Sequence, residues 1–207
     1  MIFTGVHHAA REYIKRGFRV IPLWGVDPVA GGCLCGSPLC KERDWGKHEP
    51  PATDGQWKDG RTFTEADFGE LSNIAIAMGP WKDRRWLVAL DCDGCESVAE
   101  FFPAMPPTLT QRTPRGRHYI YTVAEYEPLG NYVDVFKTKR AGYSLDLRYA
   151  RGRVVVAPSR GATGDYAWLD WRAPAPLPSH ALATILHQRR TQKLPVADRW
   201  HRGSKDP

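Results

Sequence analysis

Apolar positions recur at two different periods along the chain. Residues 6 to 16 place Val6, Ala9, Ala10, Tyr13 and Ile14 at steps of three and four, the spacing of an amphipathic helix. Gly17 follows as its C-cap. Phe18-Arg-Val-Ile-Pro-Leu23 then reads as a strand. From residue 24 to residue 60 neither period holds, and Gly, Pro, Cys and charged residues dominate. A stretch of that length without structure is unusual inside a compact domain, so it needs something to tie it down. Thr64-x-x-Asp67 has the form of a capping box before a short helix. Residues 73 to 79 read as a strand, 82 to 85 as a turn, and 95 to 102 as a short helix stopped by Pro103. Beyond that point the pattern is mainly β, with strands at 109–113, 118–123, 143–148, 153–157 and 166–171. A helix over 179–189 follows, and a polar tail runs from 191 to 207. Helices mixed with antiparallel strands indicate an α+β fold.

The strand Trp86-Leu-Val-Ala-Leu-Asp91-Cys-Asp93-Gly94 carries the most specific chemistry. Side chains alternate along a strand, so Asp91 and Asp93 share a face and Cys92 takes the opposite one. Two such carboxylates repel unless a cation lies between them. Mg²⁺ or Mn²⁺ suits oxygen ligands of this kind and keeps positions open for phosphate. Asp146, in Ser144-Leu-Asp-Leu-Arg148, lies on the polar face of another strand and is a third candidate acid. Thr113-Pro-Arg115-Gly116-Arg117-His118 is a compact basic turn. Its two arginines suit forked contacts to phosphate, and its glycine would let backbone N–H groups approach an anion.

The cysteines change the picture of the patternless segment. Cys33-x-Cys35-x4-Cys40-x7-His48 supplies four ligands of the kind that hold structural Zn²⁺. A metal there would order a loop with no core of its own. Cys92 and Cys95 are expected to be free thiols that bind no metal. With 29 Lys and Arg against 23 Asp and Glu, the formal charge is +6. That excess permits a nucleic-acid or nucleotide ligand without requiring one. Tyr119, Tyr121, Tyr132, Tyr143, Tyr149, Trp168 and Trp171 interleave with basic residues; they are read as core and rim of a sheet before they are read as base-stacking platforms. No run of 18 apolar residues indicates a membrane span. The first residues lack the layout of a secretory signal, so a cytoplasmic protein is expected.

Taken together, these motifs resemble the bifunctional DNA primase/polymerase (prim-pol) domain of the archaeo-eukaryotic primase superfamily, found in phage and plasmid replication proteins. The resemblance spans roughly residues 8 to 172. It rests on residues 17–23, Gly46-Lys-His48 with Pro50, Trp57, Asn73-Ile-Ala-Ile, Leu90-Asp-x-Asp93, Thr113 through Tyr121, Leu145-Asp-Leu-Arg148 and Val155-Val-Ala-Pro-Ser159. It implies an α/β lobe packed on an RRM-like antiparallel lobe, with the active site in the cleft between them. One catalytic domain over residues 1–190 is expected, with a zinc loop inserted at about 31–50 and a linker over 191–207. Asp91, Asp93 and Asp146 match the family's metal-binding acids, and His118 its nucleotide-phosphate histidine. Thr113, Arg115, Gly116 and Arg117 match the turn before that histidine, and Arg148 adds charge. Relatives carry two glycines in that turn, and this chain has one. The resemblance implies a DNA template and primer, nucleoside triphosphates, two Mg²⁺ or Mn²⁺ ions, one structural Zn²⁺, and a helicase module on a longer chain in a bacterial host's cytoplasm. A metal-dependent nuclease and a non-catalytic zinc-containing nucleic-acid binding module remain as alternatives.

Overall fold

The computed structural model describes residues 2–124, 129–136 and 142–192, so the tail from 193 onward lies outside the described residues. Helix α1 (Val6–Lys15) is followed by strand β1 (Val20–Leu23). With β2 (Asn73–Ala77) and β8 (Arg153–Val156), β1 forms a three-stranded antiparallel sheet in the order β1-β2-β8. The strands of this sheet are buried almost throughout, which is why they read as continuous apolar runs rather than alternating ones. Helix α1 contributes Val6, Ala9, Ala10 and Tyr13 to the core beside them. The Tyr13 hydroxyl donates to the Ala157 carbonyl and accepts from Trp168 Nε1 at 2.7 Å, so its one polar atom is satisfied in the core.

The larger sheet has seven strands. Its main path is β11 (Ala167–Asp170), β5 (Leu109–Arg112), β6 (Gly116–Ala124), β4 (Arg85–Asp93) and β3 (Gly79–Pro80). Strand β7 (Ser144–Arg148) also pairs with β4, and β12 (Ala175–Pro176) runs parallel to β6. A small hairpin of β9 (Arg160–Gly161) and β10 (Gly164–Asp165) stands apart. Helix α2 (Ser179–Gln192) ends the described chain and packs Ala181 and Ile185 into a second core.

Strand β4 serves both cores. Leu87 and Ala89 join the core around α1 and the small sheet, while Val88, Leu90 and Cys92 join the core under α2. This strict alternation leaves Asp91 and Asp93 on one face at the open end of the strand, as its sequence required. Cys92 and Cys95 are free and buried in the second core. Tyr119, Tyr121, Tyr132, Tyr149 and Trp168 are buried, and Tyr143 and Trp171 pack partly buried at the edges of the cores.

The ties that hold the segment from 24 to 60 include three of different kinds. One is its own 3₁₀ turns at Glu42–Asp44 and Gln56–Asp59. The second is Asn73, whose amide donates to the Gly46 carbonyl at 2.9 Å. The third is Glu49, whose side chain is fully buried and forms an ion pair with Arg153 of β8. Glu49 also accepts from Trp57 Nε1 at 3.3 Å and from the Gly55 N–H at 2.8 Å, and Arg153 donates to the Lys47 carbonyl at 2.9 Å. Two expectations need correction. The helix near 95–102 is a single 3₁₀ turn, Val98–Glu100, closed by a Ser97/Glu100 capping box, because the chain enters the core at Phe102 directly afterwards. Strand β6 begins at Gly116, so Gly116 and Arg117 belong to a strand and not to the turn.

Candidate active site

Strand register builds the site. Asp91 lies opposite His118 on β6 and opposite Asp146 on β7, and His118 lies opposite Gln111 on β5. Directly opposed residues of antiparallel strands share a face. Asp146, Asp91, His118 and Gln111 therefore form one row across four strands. Asp93 stands one step further along β4, beside the turn that carries Arg115. Gly94, at φ +71°, then turns the chain so tightly that a Cβ there would meet the Gly142 carbonyl oxygen at 2.2 Å.

The carboxylates are each engaged. His118 Nε2 lies 3.1 Å from Asp91 Oδ1. Arg115 donates to Asp93 Oδ2 at 2.5 Å. Asp146 accepts from Arg148 at 2.7 Å and from the Asp134 N–H at 2.9 Å. Burial opposes charge on Asp91, but His118, as a charge when protonated and as a hydrogen-bond partner, outweighs it with help from Arg148 and Arg115; the carboxyl sits below its ordinary range. Asp93 is raised, by burial first and by the charge of Asp91 second. Asp146 is pushed up to about 6, mainly by burial, with Asp91 adding and Arg148 opposing. Three acids whose environments pull them apart in this way make this cluster a candidate functional site.

A cleft of about 960 Å³ opens over Asp91, Asp93 and His118. Arg43, Lys47, Lys58, Arg115, Arg148, Arg151 and Arg153 line it against Glu42, Asp44, Asp91 and Asp93, so its field favours an anion. Lys47 is held below its usual range by burial and by Arg115, while Asp91 and Asp93 pull the other way. Tyr166 closes one wall, its ring 6.0 Å from that of His118.

The basic turn departs from expectation in two ways. Arg117 is opposite Cys92 in the register, so it leaves the sheet on the face away from the acids and pairs with Glu96 at 3.2 Å. It does not line the cleft. The N–H groups of Arg115 and Gly116 both donate to Thr113 Oγ1, at 3.2 and 2.9 Å, so they are not offered to a ligand. Thr113 builds the turn. Gly116 is required by close approach, since a Cβ there would lie 1.9 Å from the Cys92 carbonyl oxygen. Asp146 stands in the row but is turned toward Arg148 and does not line the cleft, whereas Arg148 does. Lys47, Tyr166 and Gln111 were missed by sequence reasoning. Lys47 sits inside the quoted Gly46-Lys-His48 motif, which was the available signal. Gln111 gives none until its register with His118 is known.

The metal-ligand set in the loop is better gathered. The donor atoms of Cys33, Cys35, Cys40 and His48 all lie within 4.8 Å of one another. Among the described residues, no other set of such side chains comes together in this way. His48 Nδ1 faces the Asp44 carbonyl at 3.3 Å, which leaves Nε2 to face the cysteines, 3.7 Å from Cys33 Sγ. Burial and the neighbouring Cys35 and Cys33 push the Cys40 thiol up to about 12. Thiols so close together do not ionise without a cation among them. The donor set fits tetrahedral Zn²⁺.

The family model for the bifunctional DNA primase/polymerase N-terminal domain, Prim-Pol, matches residues 10–180. The chain belongs to the Prim-Pol family. The match covers the second half of α1, every strand of both sheets and the cysteine loop. A search of curated proteins returned no match. Membership brings DNA and nucleotides as substrates and replication as the setting. No helix among the described residues is long and apolar enough to cross a membrane.

Proposed function

We propose that this Prim-Pol chain is a template-directed nucleotidyltransferase that makes DNA primers and extends them in phage or plasmid replication. The observation that carries the reading is the group Asp91, Asp93, His118 and Arg115 at the floor of a cationic cleft, with Asp146 directly opposite Asp91 in the strand register. Asp91 and Asp93, with Asp146, would hold two Mg²⁺ or Mn²⁺. Those ions, when bound, supply charge stabilisation for an attacking primer 3′-hydroxyl and a leaving pyrophosphate. His118, Arg115, Arg148 and Lys47 bind the triphosphate. Arg115 and Arg148 are paired to carboxylates in this structure, so each exchanges a carboxylate oxygen for a phosphate oxygen as substrate enters. Tyr166 and Arg153 shape the inner wall and keep bulk water from the phosphates.

On this reading residues 1–190 are one catalytic domain, an α/β lobe on an RRM-like lobe with the active site between them. The Cys33, Cys35, Cys40 and His48 loop carries a structural Zn²⁺. The tail links to a helicase module of a longer chain in the bacterial cytoplasm. The test is incubation with a DNA template, labelled nucleotides and Mn²⁺. Wild type is expected to synthesise and extend primers, and an Asp91→Ala/Asp93→Ala variant to lose on the order of 10³-fold or more in rate while remaining folded by circular dichroism. Full incorporation by the folded variant overturns the assignment. Template degradation without incorporation identifies a nuclease instead, and DNA binding with neither activity identifies a binding module.

A further inference from the structure

We infer that Gln111 is a positioning residue: it fixes His118 in the tautomer protonated at Nε2, which makes His118 a hydrogen-bond donor to the cleft and bars it from acting as general base.

The argument starts at the backbone of β8. Gln111 is completely buried. Its Oε1 accepts from the Ala157 N–H at 3.1 Å, and its Nε2 donates to the Val155 carbonyl at 2.7 Å. A carboxamide has one acceptor end and one donor end. Turning it over would set its N–H₂ against an N–H and its oxygen against a carbonyl, so these two contacts fix which end is which. The second hydrogen on Nε2 then faces His118 Nδ1 at 2.7 Å. A donor at that distance requires a lone pair on Nδ1, so Nδ1 carries no proton. The imidazole proton is on Nε2, the nitrogen 3.1 Å from Asp91 Oδ1. Every bond from Ala157 to the cleft thus has a single polarity, set where the small sheet meets the large one.

The consequence concerns mechanism. A base that takes the proton of an attacking hydroxyl must offer a lone pair to the cleft. His118 offers a hydrogen there, and its lone pair is capped inside the protein by Gln111. An anionic oxygen is the acceptor this donor suits. That the oxygen belongs to a nucleotide phosphate rests on the function proposed above; the tautomer does not. Asp91 also favours a proton on Nε2, so the test must separate the two influences.

The full chain is labelled with ¹⁵N-histidine, and long-range ¹H–¹⁵N spectra are recorded without nucleotide. The His118 signals are assigned by their loss in His118→Gln. Wild type and Asp91→Ala are both expected to show one tautomer, with the proton on Nε2 and a bare Nδ1. Asp91→Ala/Gln111→Met is expected to show a mixture of the two. A protonated Nδ1 in wild type or in Asp91→Ala overturns the inference, as does a double variant with the same single tautomer as Asp91→Ala. If the Gln111→Met change prevents folding, the first two spectra decide alone. In nucleoside triphosphate titrations, Gln111→Met should raise Kd about tenfold and leave primer–template affinity unchanged. Unchanged nucleotide affinity overturns the positioning role. A wild-type chain that binds no nucleotide overturns the reading of the cleft, and the spectra distinguish that outcome from failure of the tautomer argument.

Discussion

Asp146 differs from the other two acids in what its surroundings ask of it. Burial lifts its carboxyl from 3.8 to about 6, and Arg148 recovers only part of that cost. A carboxyl raised on folding gains protons in the folded state between its two values. Its contribution to stability is therefore largest below about 4, declines as pH rises to about 6, and is constant above that. Urea denaturation across this range should show the decline in wild type and its loss in Asp146→Asn; identical slopes in the two would contradict the assignment. The same row shows what single residues can and cannot announce. Asp91 and Asp93 were legible because alternation alone puts them on one face. Arg117 was misread because β6 begins two residues earlier than expected, so Arg117 is a strand residue that alternates with His118 and takes the opposite face. Gln111 stayed hidden because a polar residue in a strand has no meaning until its partners across the sheet are known.

At the scale of elements, β4 and β6 are joined over nine consecutive residue pairs, from Arg85↔Ala124 to Asp93↔Gly116. The last pair depends on Gly116 having no side chain. Gly116→Ala forces a Cβ against the Cys92 carbonyl, and should cost about 1–3 kcal/mol as an overpacking defect. It should also reduce nucleotide incorporation more than primer–template binding, because it opens the sheet beside Asp93. Thermal unfolding and parallel activity assays check both outcomes. The cysteine loop makes a different kind of element, one marked by a gathered donor set and not by a period. Purified protein should contain about one equivalent of zinc, and Cys35→Ser should lower both the zinc content and the melting temperature. Elemental analysis that finds no zinc in protein never exposed to chelator would reject the site. Strands and α1 could be read from the sequence because burial imposes a period or a continuous apolar run on them. The loop could be read only through its ligand spacing. The short strands β3, β9, β10 and β12 left no trace, since two residues are too few to show alternation.

Across the whole molecule, buried polar ties join the loop, the small sheet and the cleft. Glu49, with its side chain fully buried against Arg153, is one of them. Glu49→Ala would strand the buried guanidinium of Arg153 and remove the partners of Trp57 and Gly55, a loss of about 3–5 kcal/mol. The same change should loosen the backbone at Lys47, so weaker nucleotide binding should accompany the fall in stability. Chemical denaturation and nucleotide titration measure the two together, and a variant as stable as wild type would contradict this account. The two cores meeting on β4 also limit how such a chain can change length. Losing one residue between Trp86 and Leu90 would exchange the strand's faces, bury Asp91 and Asp93 under α2 and present Cys92 to the cleft. Losing two would restore the faces but slide Asp91 out of line with Asp146 and His118. Insertions and deletions are thus forbidden in β4 for two separate reasons, one of phase and one of alignment. Length is free to vary only where neither applies, and the segment between β1 and β2, which holds the four candidate metal ligands, is the longest such place in the described chain.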